Sequence, residues 1–167
     1  GDKIRSGGNG YKIILLPANR LLPVESLKKL MELAKEGAKI IFYKNAPEGV
    51  PGLANLTARQ SEFEKLIEPI NTGFGEPVTL VISDKDGNTR TTGGLNHVAS
   101  LGKGMFFMGD SLETMLQIAT VKKKKMTERG LSYYKRINTN GKVYFINNRT
   151  ANAFNDWIAL NETAVSI

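Results

Sequence analysis

The chain has 167 residues, of which 41% are hydrophobic and 23% charged, and its 23 Lys and Arg against 16 Asp and Glu give a formal net charge of +7. This length holds one domain with a core, or a domain and an appendage, and excludes two full domains. The absence of cysteine and the single histidine, His97, exclude disulfides, thiolate nucleophiles and Cys- or His-based zinc sites, and no apolar run approaches the roughly 18 residues that a membrane-spanning helix needs.

Residues 1–10, GDKIRSGGNG, read as a flexible leader at a cut edge, because they begin without Met and lack the apolar core of a signal peptide. An α/β domain is expected over 11–147. Residues 11–16, YKIILL, are a nearly continuous apolar run, as in a strand buried on both faces. Pro23, then Leu27, Leu30, Met31 and Ala34, then Gly37 predict an amphipathic helix with both its start and stop signals. Residues 38–43, AKIIFY, are a second buried strand, which completes a βαβ unit. The loop at 44–53 then crosses the carboxyl ends of the strands, the usual ligand edge of an open α/β sheet.

Thr57 and Gln60 have capping-box spacing and predict a second helix with Phe63, Leu66 and Ile67 on one face, stopped by Pro69. Residues 78–82 and 89–92 around Asp86-Gly87 predict a hairpin, and the Gly-rich stretch 93–104 a loop. Residues 105–108 are a buried strand, followed by a helix with Leu112, Met115, Leu116 and Ala119 on one face. Residues 131–137 and 142–147 flank an Asn140-Gly141 turn as a last hairpin, and residues 153–160 suggest one more strand.

The residues that could carry chemistry are few. Gly109-Asp110-Ser111-Leu112 after a strand matches the tag of a family of serine esterases and lipases. A serine nucleophile needs a base, a group that orients the base, and oxyanion donors. Those esterases bring an Asp-x-x-His pair from near the domain's end, whereas no histidine follows Ser111 here. His97 lies upstream across the Gly-rich stretch, and the lysines at 122–125 lie beyond the far end of the helix. Capping explains the same letters: Asp110 as N-cap, Glu113 reaching back, Gly109 easing the turn and Ser111 in the first turn.

No Gly-x-Gly-x-x-Gly or Walker sequence is present to bind a nucleotide. Glu62, Glu64 and Glu68 flank a helix's apolar stripe, and Asp84 and Asp86 belong to a turn, so both groups read as solvated carboxylates. The lysine run reads as solvated cations at a helix's carbonyl end, and neither nucleic acid nor membrane is an expected partner. Tyr133, Tyr134, Tyr144, Phe145 and Trp157 could stack on sugar rings, but their near-alternation favours core packing and cross-strand pairing. No catalytic, cofactor or metal residue is assigned.

Three blocks carry a resemblance: YKIILLPANRLLPVESLKKLMELAKEGAKIIFYKNAPEGVPGL, GKGMFFMGDSLETMLQIA, and LSYYKRINTNGKVYFINNRT with its Tyr-Phe-x-x-Asn ending. In colinear order over 11–150 they resemble the α/β segment of large bacterial glycoside hydrolases of family 106, the α-L-rhamnosidases. That family's last hairpin often carries a His-Arg pair where this chain has Lys135-Arg136. The resemblance implies a three-layer α/β sandwich with a mainly parallel sheet, class I glutamine-amidotransferase-like (flavodoxin-like), plus β-hairpins. Without cysteine such a layer cannot keep that fold's glutaminase nucleophile.

The resemblance also implies that the catalytic carboxylates and a calcium site lie in an upstream (β/α)8 barrel. This chain would then be an accessory domain without a cofactor, in a periplasmic or secreted bacterial enzyme acting on plant polysaccharide. Its partners would be the barrel and β-sandwich domains, with 148–167 leading as a strand toward the next domain. A free-standing saccharide-binding module using loops 44–53 and 93–104, and a hydrolase using Ser111, are the alternatives.

Overall fold

The computed structural model describes residues 4–6, 9–79, 81–83, 89–91, 95–121 and 124–160. They fall into two compact units, Gly1–Val121 and Lys122–Ile167.

In the first unit, β1 (Ile4–Ser6) pairs antiparallel with β2 (Asn9–Tyr11). The described part of the expected leader is therefore a hairpin. Next comes β3 (Ile13–Leu16), so the strand expected over 11–16 is broken at Lys12. Tyr11 pairs back with Ile4 while Ile13 pairs with Lys39, and the two pairings belong to different sheets.

Helix α1 (Val24–Lys35) has Pro23 at its N-cap, and Gly37 beyond its end takes φ +117°, the left-handed region that glycine enters without strain. The chain returns as β4 (Lys39–Tyr43). Helix α2 (Leu56–Gly73) is capped two residues earlier than its expected capping box: Asn55 is the N-cap, Thr57 is already helical, and Gln60 bonds elsewhere. The helix also continues through Pro69 rather than stopping there. Proline removes one ladder hydrogen bond, and Ile70 beyond it is fully buried in the core, which favours keeping the last turn.

Strands β5 (Val81–Ser83) and β6 (Thr89–Thr91) form the expected antiparallel hairpin; its Asp84, Asp86 and Gly87 lie outside the described residues. Where a loop was expected over 93–104, β7 (Asn96–Leu101) turns at Gly102-Lys103 into β8 (Gly104–Gly109). Helix α3 (Leu112–Ile118) follows.

The principal sheet has the order β3-β4-β8-β7. The β3–β4 and β4–β8 pairings are parallel and β7–β8 is antiparallel, so the fold is α/β with a mixed sheet and separate β-hairpins. Alternation divides its residues between two cores. Ile40, Phe42, Phe106 and Ala99 meet Leu27, Leu30 and Ala34 of α1 and Phe63, Ile67 and Ile70 of α2. Ile41 and Phe107 meet Met115 and Ala119 beside α3. Burying each such large side chain contributes about 1.5–3 kcal/mol. The sheet is thereby packed on both faces, which leaves its strand ends and loops for function.

The second unit contains α4 (Lys125–Glu128), β9 (Leu131–Asn138) and β10 (Gly141–Asn148). Asn138 pairs with Gly141, so the turn residues are Thr139 and Asn140, one position before the expected Asn140-Gly141. Neither has a positive φ; the left-handed conformation falls to Gly141 at φ +149°. Residues 149–160 are irregular and join no strand among the described residues, although a strand was suggested at 153–160. That tail is held by Arg129, which donates to Asp156 Oδ2 and lies 5.9 Å over the Phe154 ring.

The Trp157 backbone N–H, and after it the Arg129 guanidinium, hold the Asp156 carboxyl below its ordinary value. A carboxylate depressed in the folded state stabilises above its unfolded value and loses that contribution as pH falls through the folded one. Trp157, the single tryptophan, should therefore change its fluorescence in acid, below the usual Asp range. Arg129→Ala should move this transition to higher pH. An unmoved transition would show that Arg129 does not anchor the tail.

Candidate functional site

The carboxyl ends of β3, β4 and β8 open into residues 17–23, residues 44–55 and Asp110-Ser111. The first two loops are stitched together. Glu48 N–H donates to Arg20 O at 2.8 Å, Leu22 N–H to Gly49 O at 2.9 Å, and Arg20 reaches Glu48 Oε2 from Nε at 3.0 Å and Nη2 at 2.9 Å. Two successive α2 residues fasten the second loop from below. Arg59 donates to Pro51 O at 2.7 Å and to Gly52 O and Ala54 O at 2.8 Å, filling three carbonyls with one planar cation. Gln60 Oε1 accepts from Val50 N–H at 3.2 Å, and its Nε2 donates to Glu48 O at 3.1 Å and Glu64 Oε1 at 2.9 Å. A loop held by backbone-directed bonds of this number keeps one shape.

Two open grooves flank it. One lies between Ala46–Glu48 and the Glu64, Glu68 and Thr72 side of α2; the other is bounded by Arg20, Leu21, Gly49 and Gln60. Of their carboxylates, Glu48 is engaged by Arg20 and Glu64 by Gln60. Glu62, on the same helix, takes Lys28 at 2.7 Å, and the Lys28 amine is held above its ordinary value by Glu62 first and Glu25 second. No cluster of His, Cys, Asp and Glu among the described residues could hold a metal ion. No helix among them is long and apolar enough to cross a membrane.

Ser111, not Asp110, is the N-cap of α3. Its Oγ accepts from Thr114 N–H at 3.4 Å and lies 2.8 Å from Thr114 Oγ1, so Thr114, rather than Glu113, completes the cap. Gly109 is required by strand packing as well as by the turn: a Cβ there would stand 2.4 Å from Asn96 Oδ1 and 2.5 Å from Leu95 O. His97 pairs with Met108 in the register, and its Nδ1 sits 2.9 Å from Gly75 O with the Phe74 ring edge-on at 6.4 Å. By alternation it belongs to the sheet face covered by α1 and α2, whereas Ser111 opens the helix on the opposite face. The sheet separates the two residues that a hydrolase would bring together.

Ser111→Ala should therefore leave any ester cleavage unchanged and lower stability by about 1 kcal/mol through loss of the cap. Serine-dependent turnover of an aryl ester would contradict this placement.

Sequence reasoning missed the clamp made by Arg59 and Gln60, because both lie in a helix whose capping pattern explained Gln60 locally. Of the lysine run, Lys122 and Lys123 lie outside the described residues; Lys124 donates to Leu160 O at 2.6 Å. The aromatic residues pair across β9 and β10 as expected: Tyr133 and Tyr144 have ring centres 5.9 Å apart, and Tyr134 stands opposite Phe145. Core packing was also expected, and here the structure differs. Tyr134 and Phe145, which share one face of a two-stranded hairpin, are each 70% exposed, and Trp157, in the irregular tail, is 93% exposed.

The family model for glycoside hydrolase family 106, described as alpha-L-rhamnosidase, matches residues 1–158, in agreement with the resemblance carried by the three sequence blocks. Searches of curated proteins and of solved structures return no match.

Proposed function

Because the chain belongs to the glycoside hydrolase family 106, the alpha-L-rhamnosidases, we propose that it is an accessory, non-catalytic α/β domain of a larger bacterial enzyme acting on α-L-rhamnosyl linkages of plant polysaccharide. The family match over 1–158 carries this reading. The side chains support it. Glycoside hydrolysis ordinarily uses two carboxyl groups facing one bond, and Glu48, Glu62 and Glu64 are instead engaged by Arg20, Lys28 and Gln60. Ser111 and His97 serve a helix cap and a loop carbonyl on opposite faces of the sheet. The acid/base pair then belongs to a barrel elsewhere in the parent enzyme, as the family resemblance implies.

The same reading extends to the architecture. Helices α1 and α2 on one side of the sheet and α3 on the other favour a three-layer sandwich of the class I glutamine-amidotransferase-like kind. Its partners would be the barrel and β-sandwich domains of the parent. An antibody raised against this chain tests the proposal on extracts of the source cells. A band several times larger than 18.3 kDa is expected; a band at that size alone would overturn it.

A further inference from the structure

The exposed face of the β9–β10 hairpin has a definite composition. Register places three cross-strand pairs on it: Ser132 with Asn147, Tyr134 with Phe145, and Arg136 with Val143. Tyr134 and Phe145 are 70% exposed and Val143 is 57% exposed. Directly opposed side chains have Cβ atoms about 5 Å apart and successive same-face pairs lie roughly 7 Å apart along the strands. The opposite face is different in kind: Leu131 is buried there, Tyr133 and Tyr144 pair, and Lys135 lies 5.4 Å over the Tyr144 ring.

We propose that the Tyr134–Phe145 face is a stacking platform for a saccharide chain that carries carboxylates, a binding site that rests on the glycoside hydrolase reading above. Aromatic rings present flat apolar area at low conformational cost and take the C–H face of a sugar ring. Ser132 and Asn147 on one side supply hydroxyl and amide groups for sugar hydroxyls. Charge selects the occupant. The hairpin holds no Asp or Glu; Lys135 and Lys142 belong to the other face, and Arg136 lies on the platform's own face with a guanidinium suited to a carboxylate. Size argues against a protein partner: a stable interface buries about 800 Å² on each side, whereas two rings and a valine match one or two sugar units.

The test is calorimetric titration of the 167-residue chain with two linear polyuronates, alginate and polygalacturonate, against dextran and an oligothymidylate. Saturable binding of at least one polyuronate, tighter than that of dextran, is expected. Tyr134→Ala with Phe145→Ala should weaken it about tenfold, the loss of stacking contacts. Arg136→Gln should weaken it about threefold and flatten its salt dependence. Should the double variant melt early, Tyr134→Thr and Phe145→Thr singly carry the same direction of effect, since threonine suits a strand. Binding that survives these substitutions, tighter binding of oligothymidylate than of either polyuronate, or no binding of a polyuronate would overturn the proposal. None of these outcomes bears on the size of the parent polypeptide, so the accessory-domain reading is tested separately.

Discussion

Gly104→Ala is expected to lower stability by about 3 kcal/mol or more, at the upper end of what overpacking costs. Gly104 opens β8 where that strand passes the end of α1. A Cβ at this position would lie 2.2 Å from Ala38 O and 2.4 Å from Ala34 O. Both obstacles are backbone carbonyls already in use, Ala38 O by Met105 N–H at 3.1 Å and Ala34 O by Gly37 N–H at 2.9 Å. Neither can rotate aside as a side chain would, so relief requires β8 to move away from α1 or the helix end to unwind. Gly75→Ala, where no atom lies within 4 Å of the new Cβ, is the matched control and should be nearly neutral. Urea midpoints of the two variants compare them directly. A Gly104→Ala midpoint equal to that of the control would mean that β8 does not pass α1 this closely.

Phe106→Ala should cost about 3–5 kcal/mol, the range for removing a large aromatic side chain from a core. Phe106 is fully buried on a central strand, its ring centre is 5.5 Å from that of Phe42, and it faces both α1 and α2. Truncation leaves a cavity bounded by three elements that are tied to one another and cannot all collapse into it. Phe145→Ala removes the same atoms from a site that is 70% exposed, and its effect on stability should stay within about 0.5 kcal/mol. Thermal or urea unfolding distinguishes these. Equal losses in the two variants would contradict the division between a packed sheet and an open hairpin.

Much of the fold was legible because it is written in local patterns. The i, i+3, i+7 spacing of Leu27, Leu30 and Ala34 gave α1, and Pro23 and Gly37 marked its ends. The apolar runs at β4 and β8 were visible without partners, because strands buried on both faces need no alternation. Strand β7 was hidden by Gly93, Gly94, Gly102 and Gly104, which punctuate the stretch as a loop. Its pairing with β8 depends on a two-residue turn and on close backbone approach at Gly109, which no propensity reports. The break at Lys12 likewise depends on which strands Tyr11 and Ile13 meet.

The candidate site was less legible, for the same physical reason. Ser111 and Asp110 are both good N-caps, and Thr114 decides between them. The separation of His97 from Ser111 follows from strand parity, which a glycine-punctuated stretch that reads as a loop does not reveal. Arg59 and Gln60 act on carbonyls five to twelve residues away in sequence, so their role appears only when the loop's path is known. The alternation of Tyr133, Tyr134, Tyr144 and Phe145 revealed which rings share a face, and the structure added which face is left open.

Incubation of the isolated 167-residue chain with 4-nitrophenyl α-L-rhamnopyranoside is the most direct measurement of whether this segment performs the family's chemistry. Release of nitrophenol no faster than in buffer is the predicted result, because Glu48 and Glu64, two of the carboxylates lining the groove beside α2, are engaged by Arg20 and Gln60. Turnover that persists through purification and is lost on substituting Glu48, Glu64 or Glu68 would contradict an accessory role and place a catalytic site in the grooves beside α2.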